Sequence, residues 1–427
     1  MKKFILIWLG EFISEIGSGM TAFALSVYIY QATGSVSLVS VIAVASFLPT
    51  ILLSPLGGVL ADRYDRRLLM IVGDLFSGLG LLYVLWNIHI GTESMLPVIS
   101  GVTFNAVFVA LLEPSFKATV TDLLTEDEYA KASGMVQIAG NARYLISPAL
   151  AGVLLAVSDI RLILLLDVCT FFITITTVAL VRKSIGKPEP KEKQSALAEI
   201  KEGFAVLKES KGILSLVMLM AFVCFFVGFL QTLVSPMVLA VSDAKTVGIL
   251  ESVCAVGMLV GSVIIGILGI KGSYVRTLSL AGMAASIFMA VSGVSVNLLV
   301  TGAGIFLFFL VLPFLNTSAD VLVRSNVASG VQGRVWGIIS LLSQTGTAVA
   351  YALSGVLADH IFEPLMSEQG LLAGSIGKLI GTGQGRGIGF MLVLSGIFML
   401  PAAFAIGCNR NIKKLQEAAL KEDKLCT

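Results

Sequence analysis

Five polar residues share one face of the first apolar segment of this chain. Glu11, Ser14, Glu15, Ser18 and Thr21 lie three or four positions apart, a spacing that places side chains on one side of a helix. Two carboxyl groups four residues apart in apolar surroundings repel each other when both are ionised, so one should hold a proton near neutral pH. The stripe therefore predicts a site for a proton or a cationic substrate, with simple hydration of Glu11 at the polar end as the structural alternative.

Other ionisable residues interrupt later apolar segments. Arg143 lies near the middle of one of them, and a buried guanidinium requires a carboxylate, for which Asp74 and Glu15 are the candidates. Glu251 is the clearest buried acid of the C-terminal half. Structural pairing and a functional role both remain open for these residues. Four amide side chains are further candidates for hydrogen bonds to a substrate: Asn105, Gln231, Asn316 and Gln344.

The composition places these residues in a membrane protein. The chain has 427 residues, of which 56% are hydrophobic and 13% charged, whereas soluble domains carry about 25% charged residues. A formal net charge of +2 gives no strong field for nucleic acid. With two histidines, no phosphate-binding loop and no cysteine pair at ligand spacing, the sequence favours neither an enzyme, nor an ATP-driven pump, nor a metal site.

Twelve segments are long and apolar enough to cross a bilayer, which takes about 20 residues, so we predict an all-α membrane protein with twelve transmembrane helices. Placing the N-terminus in the cytoplasm puts nearly all Lys and Arg on the cytoplasmic side, and this bias indicates the orientation of a membrane protein. We therefore expect both termini to be cytoplasmic. The apolar cores are 4–30, 37–60, 67–86, 96–114, 131–157, 161–181, 212–240, 247–270, 276–293, 298–322, 335–360 and 388–407.

A charged stretch divides these segments six and six. Residues 1–181 form the predicted N-terminal half and 212–407 the C-terminal half, followed by a cytoplasmic tail, 408–427. The stretch 182–211 between the halves is predicted to be a cytoplasmic linker, with an amphipathic helix after Ser195. A weak match between 131–155 and 334–358 suggests that the halves are related, as in known transporters.

The loop between the second and third segments carries the most specific motif. Residues 57–67 read Gly-Gly-Val-Leu-Ala-Asp-Arg-Tyr-Asp-Arg-Arg. They resemble the cytoplasmic loop signature of the major facilitator superfamily, with Asp65 in place of its second glycine. The resemblance extends to the layout of six spans, linker and six spans, and it implies the major facilitator fold and transport by alternating access.

The motif also has a physical interpretation as a cytoplasmic gate. Gly58 would allow close helix approach, and the Asp62 carboxylate could meet a helix N-terminus or an arginine near the start of the eleventh segment. The structural alternative is that these charges only set the topology. The predicted gate residues are Gly58, Asp62, Arg63, Arg66, Arg67 and Arg334.

Three stretches resemble the drug-exporter branch that includes macrolide efflux proteins: 8–25, 140–152 and 202–214. The resemblance implies a monomeric, proton-coupled exporter of amphipathic small molecules in the cell membrane, which uses a proton or other cation gradient and no cofactor. Drug–proton antiporters often have an arginine in the fourth span, and residues 96–114 have none. Export of a siderophore or lysophospholipid, or uptake, stays open, while a membrane enzyme is disfavoured by the lack of a catalytic constellation and a channel by the repeat and the motif.

The predicted topology can be tested by labelling single cysteines in an otherwise cysteine-free chain. We expect Pro190→Cys in the linker to react with an impermeant maleimide only after cells are permeabilised. Lys245→Cys, on a predicted outer loop, should react in intact cells. Labelling of position 190 from outside would contradict the topology.

Overall fold

A computed structural model of the chain describes residues 1–92, 94–124, 128–182, 210–270, 272–327 and 332–423. These residues form helices joined by turns, and no strand occurs among them. Twelve of the helices are long and apolar enough to cross a membrane. The predicted fold class, an all-α protein with twelve transmembrane helices, is therefore confirmed.

The spans are numbered in chain order. Span 5 is interrupted at Ile146, because Pro148 lacks an N–H donor and disfavours helix in the residues before it. Spans 1 to 6 are the helices Lys2–Thr33, Val36–Arg63, Arg66–His89, Leu96–Leu123, Tyr129–Leu145 with Ser147–Val157, and Ile160–Arg182.

Span 11 differs from the other spans of the C-terminal half because its helix continues through a five-residue π-helical turn, Ala358–Phe362, into Glu363–Met366. Short helix Gly377–Ile380 precedes span 12, and Arg410–Asp423 follows it as a tail helix. Spans 7 to 12 are Lys211–Leu239, Ala244–Leu268, Tyr274–Val294, Leu298–Arg324, Gln332–Leu357 and Arg386–Cys408.

Contacts divide the chain into two compact units, whose main division falls between Lys193 and Gln194. This division lies inside the predicted linker, 182–211. Residues 183–209, with the predicted amphipathic helix, lie outside the described residues, so that helix stays a prediction. The first unit comprises Met1–Gly34, Val41–Lys193 and Asp243–Ser252, and the second comprises Ser35–Ser40, Gln194–Ser242 and Val253–Thr427.

Two short segments belong to a different unit from the rest of their span. The first residues of span 8 join the first unit, where the Ser252 hydroxyl accepts a hydrogen bond from the Ala149 N–H of span 5 at 3.0 Å. The first residues of span 2 join the second unit. There the Asp359 carboxylate accepts the N–H groups of Val36 and Ser37 at 3.0 and 2.8 Å, which caps the helix.

The core of the first unit joins spans 1, 3, 4 and 6. Its buried side chains pack into one apolar cluster near the N-terminal end of span 1, which consists of Ile7, Met70, Phe116, Val178 and Val181. In a membrane, such packing is driven by close van der Waals contact rather than by exclusion of water. The cluster therefore fixes how these four spans lie against one another.

Asp65 closes the turn between spans 2 and 3. Its carboxylate accepts the N–H of Arg67 at 3.1 Å, which caps span 3, and it accepts Nε of Arg182 at the end of span 6 at 2.7 Å. Burial would raise the pKa of this carboxyl, but the hydrogen bonds and charges of the two arginines outweigh it and hold the pKa below its usual value. The residue that departs from the family motif therefore links spans 3 and 6.

We expect Asp65→Asn to lower stability by about 0.5–1 kcal/mol at pH 7, because asparagine can still cap the helix but loses the charge attraction to a partly exposed arginine. A carboxyl with a lowered pKa stabilises the fold above its unfolded pKa. The difference from wild type should therefore persist down to about pH 4 and close in stronger acid.

Unfolding midpoints of the purified variants in detergent would measure this difference. Lys117→Gln is the control, because it removes an ion pair with Glu113 whose two side chains are 63% and 65% exposed, and such pairs contribute little. Identical midpoints for Asp65→Asn and wild type at pH 7 would contradict this role.

Candidate functional site

The polar stripe of span 1 lies against spans 5 and 6 in the first unit. Glu15 Oε2 is 3.6 Å from Nη1 of Arg143, so Glu15, of the two predicted candidates, is the one seen to pair with the arginine. One turn further along, the Ser18 hydroxyl donates to Asp167 Oδ1 of span 6 at 3.4 Å. The polar stripe of span 1 thus contacts side chains of span 5 and of span 6.

Glycines of span 1 allow this close approach. A Cβ on Gly17 would lie 2.7 Å from both Asp167 Oδ1 and Thr170 Oγ1, and one on Gly19 would lie 2.8 Å from the Arg143 carbonyl oxygen. The Ser147 hydroxyl of span 5 also donates to the Ile16 carbonyl at 2.9 Å. Small residues at helix contacts let backbones approach closely in lipid, and here they bring the ionisable groups together.

Asp167 is the site residue that sequence reasoning missed. It is the single acid within the apolar run 161–181, and only 1% of it is exposed. An ionisable residue inside a membrane span is a functional candidate by default, so the signal was present. The Thr21 hydroxyl lies close to its carboxyl but does not reach good hydrogen-bond geometry.

Asp74 of span 3 is a second buried acid of the first unit, and its side chain is 1% exposed. Glu11 is half-buried. Of the predicted residues, the structure thus brings Glu15 and Arg143 into direct contact, and the same stripe of span 1 contacts Asp167 through Ser18. Ionisable groups inside a helix bundle can hold protons and attract cations.

The remaining candidates are more scattered. Asn105 Nδ2 donates to the Ser77 carbonyl at 3.1 Å, so it joins spans 3 and 4. In the second unit, Gln231 Oε1 accepts from the Tyr351 hydroxyl at 2.7 Å, while Asn316 is exposed and Gln344 is half-buried. Glu251 is half-buried, and it belongs by its contacts to the first unit, not to the second.

The predicted gate residues are partly engaged within the first unit. Arg66 pairs with Asp122 at the end of span 4, and Nη2 of Arg67 lies 3.8 Å from the same carboxylate. Arg63 is exposed. The side chains of Asp62 and Arg334 lie outside the described residues, so the latch between them stays a prediction.

Gly58 makes no close contact in the described part of the chain, where no atom lies within 4 Å of a Cβ placed on it. The close helix contact is made by the preceding residue, Gly57, since a Cβ placed on it would lie 2.5 Å from the Ala110 carbonyl oxygen of span 4. Across the described residues, no three His, Cys, Asp or Glu side chains are grouped as metal ligands.

Comparisons with known proteins agree with the fold and the motif. The family model of the Major Facilitator Superfamily matches residues 7–351. Macrolide efflux protein A of Streptococcus pyogenes is 29% identical over 373 residues, which cover 84% of this chain and 90% of that protein. The enterobactin exporter of Citrobacter koseri is 24% identical over 364 residues, which cover 83% of this chain and 85% of that protein.

A solved structure shows the same fold. The crystal structure of a bacterial homologue of the iron transporter ferroportin, in an inward-facing state, matches with a TM-score of 0.70 at 13% identity. The match covers 96% of this chain and 99% of that one. With a family model over most of its length and this fold, the chain belongs to the Major Facilitator Superfamily and is a membrane transporter rather than an enzyme.

Proposed function

We propose that this transporter exports amphipathic, macrolide-like molecules across the cell membrane in exchange for protons. The observation that carries the proposal is the ion pair between Glu15 and Arg143, set in the polar stripe of span 1. A charged pair inside a membrane bundle costs free energy, so its presence indicates a role in transport or in structure. The similarity to macrolide efflux protein A supports the class of substrate.

The geometry of the Glu15–Arg143 pair suits the binding and release of a ligand. At 3.6 Å the two groups are further apart than the 2.7–2.9 Å of a strong charge-assisted hydrogen bond, and the side chains are 29% and 38% exposed. A ligand can therefore compete for either partner. Macrolides such as erythromycin carry a basic amino sugar on a largely apolar lactone ring, and the Glu15 carboxylate is the group that would receive this cation.

Export of a siderophore is the second candidate, supported by the similarity to the enterobactin exporter. A siderophore with acidic groups would use the same pair in the opposite sense and bind Arg143, whose side chain is 38% exposed. The two proposals thus differ in which member of the pair binds the ligand.

Measurement of erythromycin efflux distinguishes the macrolide-like substrate from the siderophore. Expression of the chain in a macrolide-sensitive bacterium should raise resistance and lower accumulation of radiolabelled erythromycin, and a proton uncoupler should restore accumulation. Unchanged erythromycin accumulation, combined with uncoupler-sensitive release of a labelled catechol siderophore, would replace the first candidate with the second.

We expect Glu15→Gln to reduce pH-driven erythromycin uptake into inside-out vesicles by at least about tenfold, a factor that corresponds to ~1.4 kcal/mol. The variant keeps the size of the side chain but loses its attraction to both Arg143 and the drug cation. Glu113→Gln is the control, because Glu113 pairs with Lys117 where both side chains are exposed. Equal uptake by Glu15→Gln and wild type, at equal protein amounts, would exclude this pair from coupling.

A further inference from the structure

One pentapeptide occurs twice in the chain, each time where a span ends. Gly-Val-Leu-Ala-Asp forms residues 58–62, within the family motif of span 2, and again residues 355–359, where span 11 passes into its π-helical turn. By the predicted topology, span 2 ends on the cytoplasmic side and span 11 on the outer side. The second copy thus carries the glycine and the acid of the predicted cytoplasmic gate at the opposite side of the membrane.

The acid of the second copy, Asp359, binds the first residues of span 2. Its Oδ1 accepts the N–H of Val36 at 3.0 Å. Its Oδ2 accepts the N–H of Ser37 at 2.8 Å and the hydroxyl of Ser35 at 2.7 Å. The first N–H groups of a helix have no partner within that helix, and negative charge is favourable beside them. Both oxygens of one side chain of span 11 therefore serve the N-terminus of span 2.

The glycine of the second copy, Gly355, allows the two spans to touch. A Cβ placed on it would lie 2.5 Å from both Ser37 Cα and Ser40 Oγ. The hydroxyls of Ser40 and Ser354 lie 3.0 Å apart, and these side chains are 2% and 0% exposed. By contrast, no described atom lies within 4 Å of a Cβ placed on Gly58. Within the described residues, the glycine of the second copy is thus packed on another span, and that of the first copy is not.

The contact between spans 2 and 11 joins segments that transport has to separate. Alternating access moves one half of such a transporter against the other around a fixed site. Span 2 belongs to the half 1–181 and span 11 to the half 212–407, so a contact between their outer ends has to break when the outer side opens. Asp359 is half-buried, so water can replace it there. It also lies in a π-helical turn, a rare geometry that is frequent at functional sites.

We propose that residues 355–359 form an outer latch, in which Asp359 holds the start of span 2 while the outer side is closed and releases it when that side opens. The latch is the outer counterpart of the gate predicted at residues 58–62. It requires neither a particular substrate nor a coupling ion, so it goes beyond the proposed macrolide export. A purely structural cap would instead stay bound throughout transport.

Labelling of Ser40→Cys in an otherwise cysteine-free chain reports whether the latch is closed. In intact cells, we expect an impermeant maleimide to modify it slowly, because the position is 2% exposed. Asp359→Ala should speed the modification about fivefold, the factor by which loss of a helix cap shifts an equilibrium. Asp359→Asn should give a smaller increase, since its amide keeps one of the two acceptor oxygens, and it serves alone if the Ala variant does not fold. Equal rates in the variants and the parent would overturn the proposal, as would modification only after permeabilisation.

Asp159→Ala is the matched control for this labelling. Asp159 lies in the predicted outer loop before span 6, where its carboxylate accepts the N–H of Arg161 at 3.0 Å, and it is 56% exposed. The variant therefore removes an outer acid that caps its own helix instead of another span. It should leave the modification rate of Ser40→Cys unchanged, and a rise equal to that of Asp359→Ala would contradict the latch.

A disulfide across the latch distinguishes a moving contact from a fixed one. Oxidation of the double variant Ser40→Cys/Ser354→Cys should join spans 2 and 11, because the two hydroxyls are 3.0 Å apart. Erythromycin efflux should then fall at least about tenfold, since the outer side can no longer open, and it should recover on reduction. Each single-cysteine variant should keep its efflux under the same oxidant. Full efflux by the cross-linked protein would overturn the latch. If the wild-type chain carries no erythromycin, the proposed function fails, and the labelling of Ser40→Cys still tests the latch.

Discussion

A guanidinium inside an apolar helix bundle is the constraint on which the first unit depends. Arg143 lies within span 5, and lipid does not solvate its charge. Glu15 of span 1 pairs with that charge at 3.6 Å, and Ser18 of the same helix donates to Asp167 of span 6 at 3.4 Å. The register of spans 1, 5 and 6 is therefore set by polar contacts as well as by packing.

Glycine is what makes this arrangement possible at close range. A side chain at Gly17 or Gly19 would collide with Asp167 or with the backbone of span 5. Dense packing and ionisable groups therefore occur together on this face of span 1, where Glu15 pairs with Arg143 and Ser18 contacts Asp167.

Three charged residues of the family motif pair with side chains of the first unit. Arg66 and Arg67 pair with Asp122 of span 4, and Asp65 bonds Arg182 of span 6. The motif thus fastens spans 3, 4 and 6 of its own unit. The sequence could not predict the pairing with Asp122, because the apolar core of span 4 ends near residue 114 while the helix continues through Pro114 to Leu123.

The twelve spans were predictable because lipid requires long apolar runs, and composition alone reveals them. Glu15 was predictable because its spacing from Glu11 and Ser18 places them on one helical face. Asp167 is visible in the sequence as the single acid of its apolar run, but its contact with span 1 depends on which span packs on Gly17, which is tertiary information. Asn105 is an amide whose position in an apolar span suggested a substrate contact. In the structure it donates a hydrogen bond that joins spans 3 and 4, and the sequence could not predict this bond.

Proton movement driven by substrate is the most direct test of the account. The purified chain would be reconstituted into liposomes that contain a pH-sensitive dye, with equal pH on both sides, and erythromycin would be added outside. We predict that erythromycin entry drives protons outward, so the lumen becomes alkaline, and that Glu15→Gln abolishes the signal. Entry of labelled erythromycin without any change in lumenal pH would contradict it.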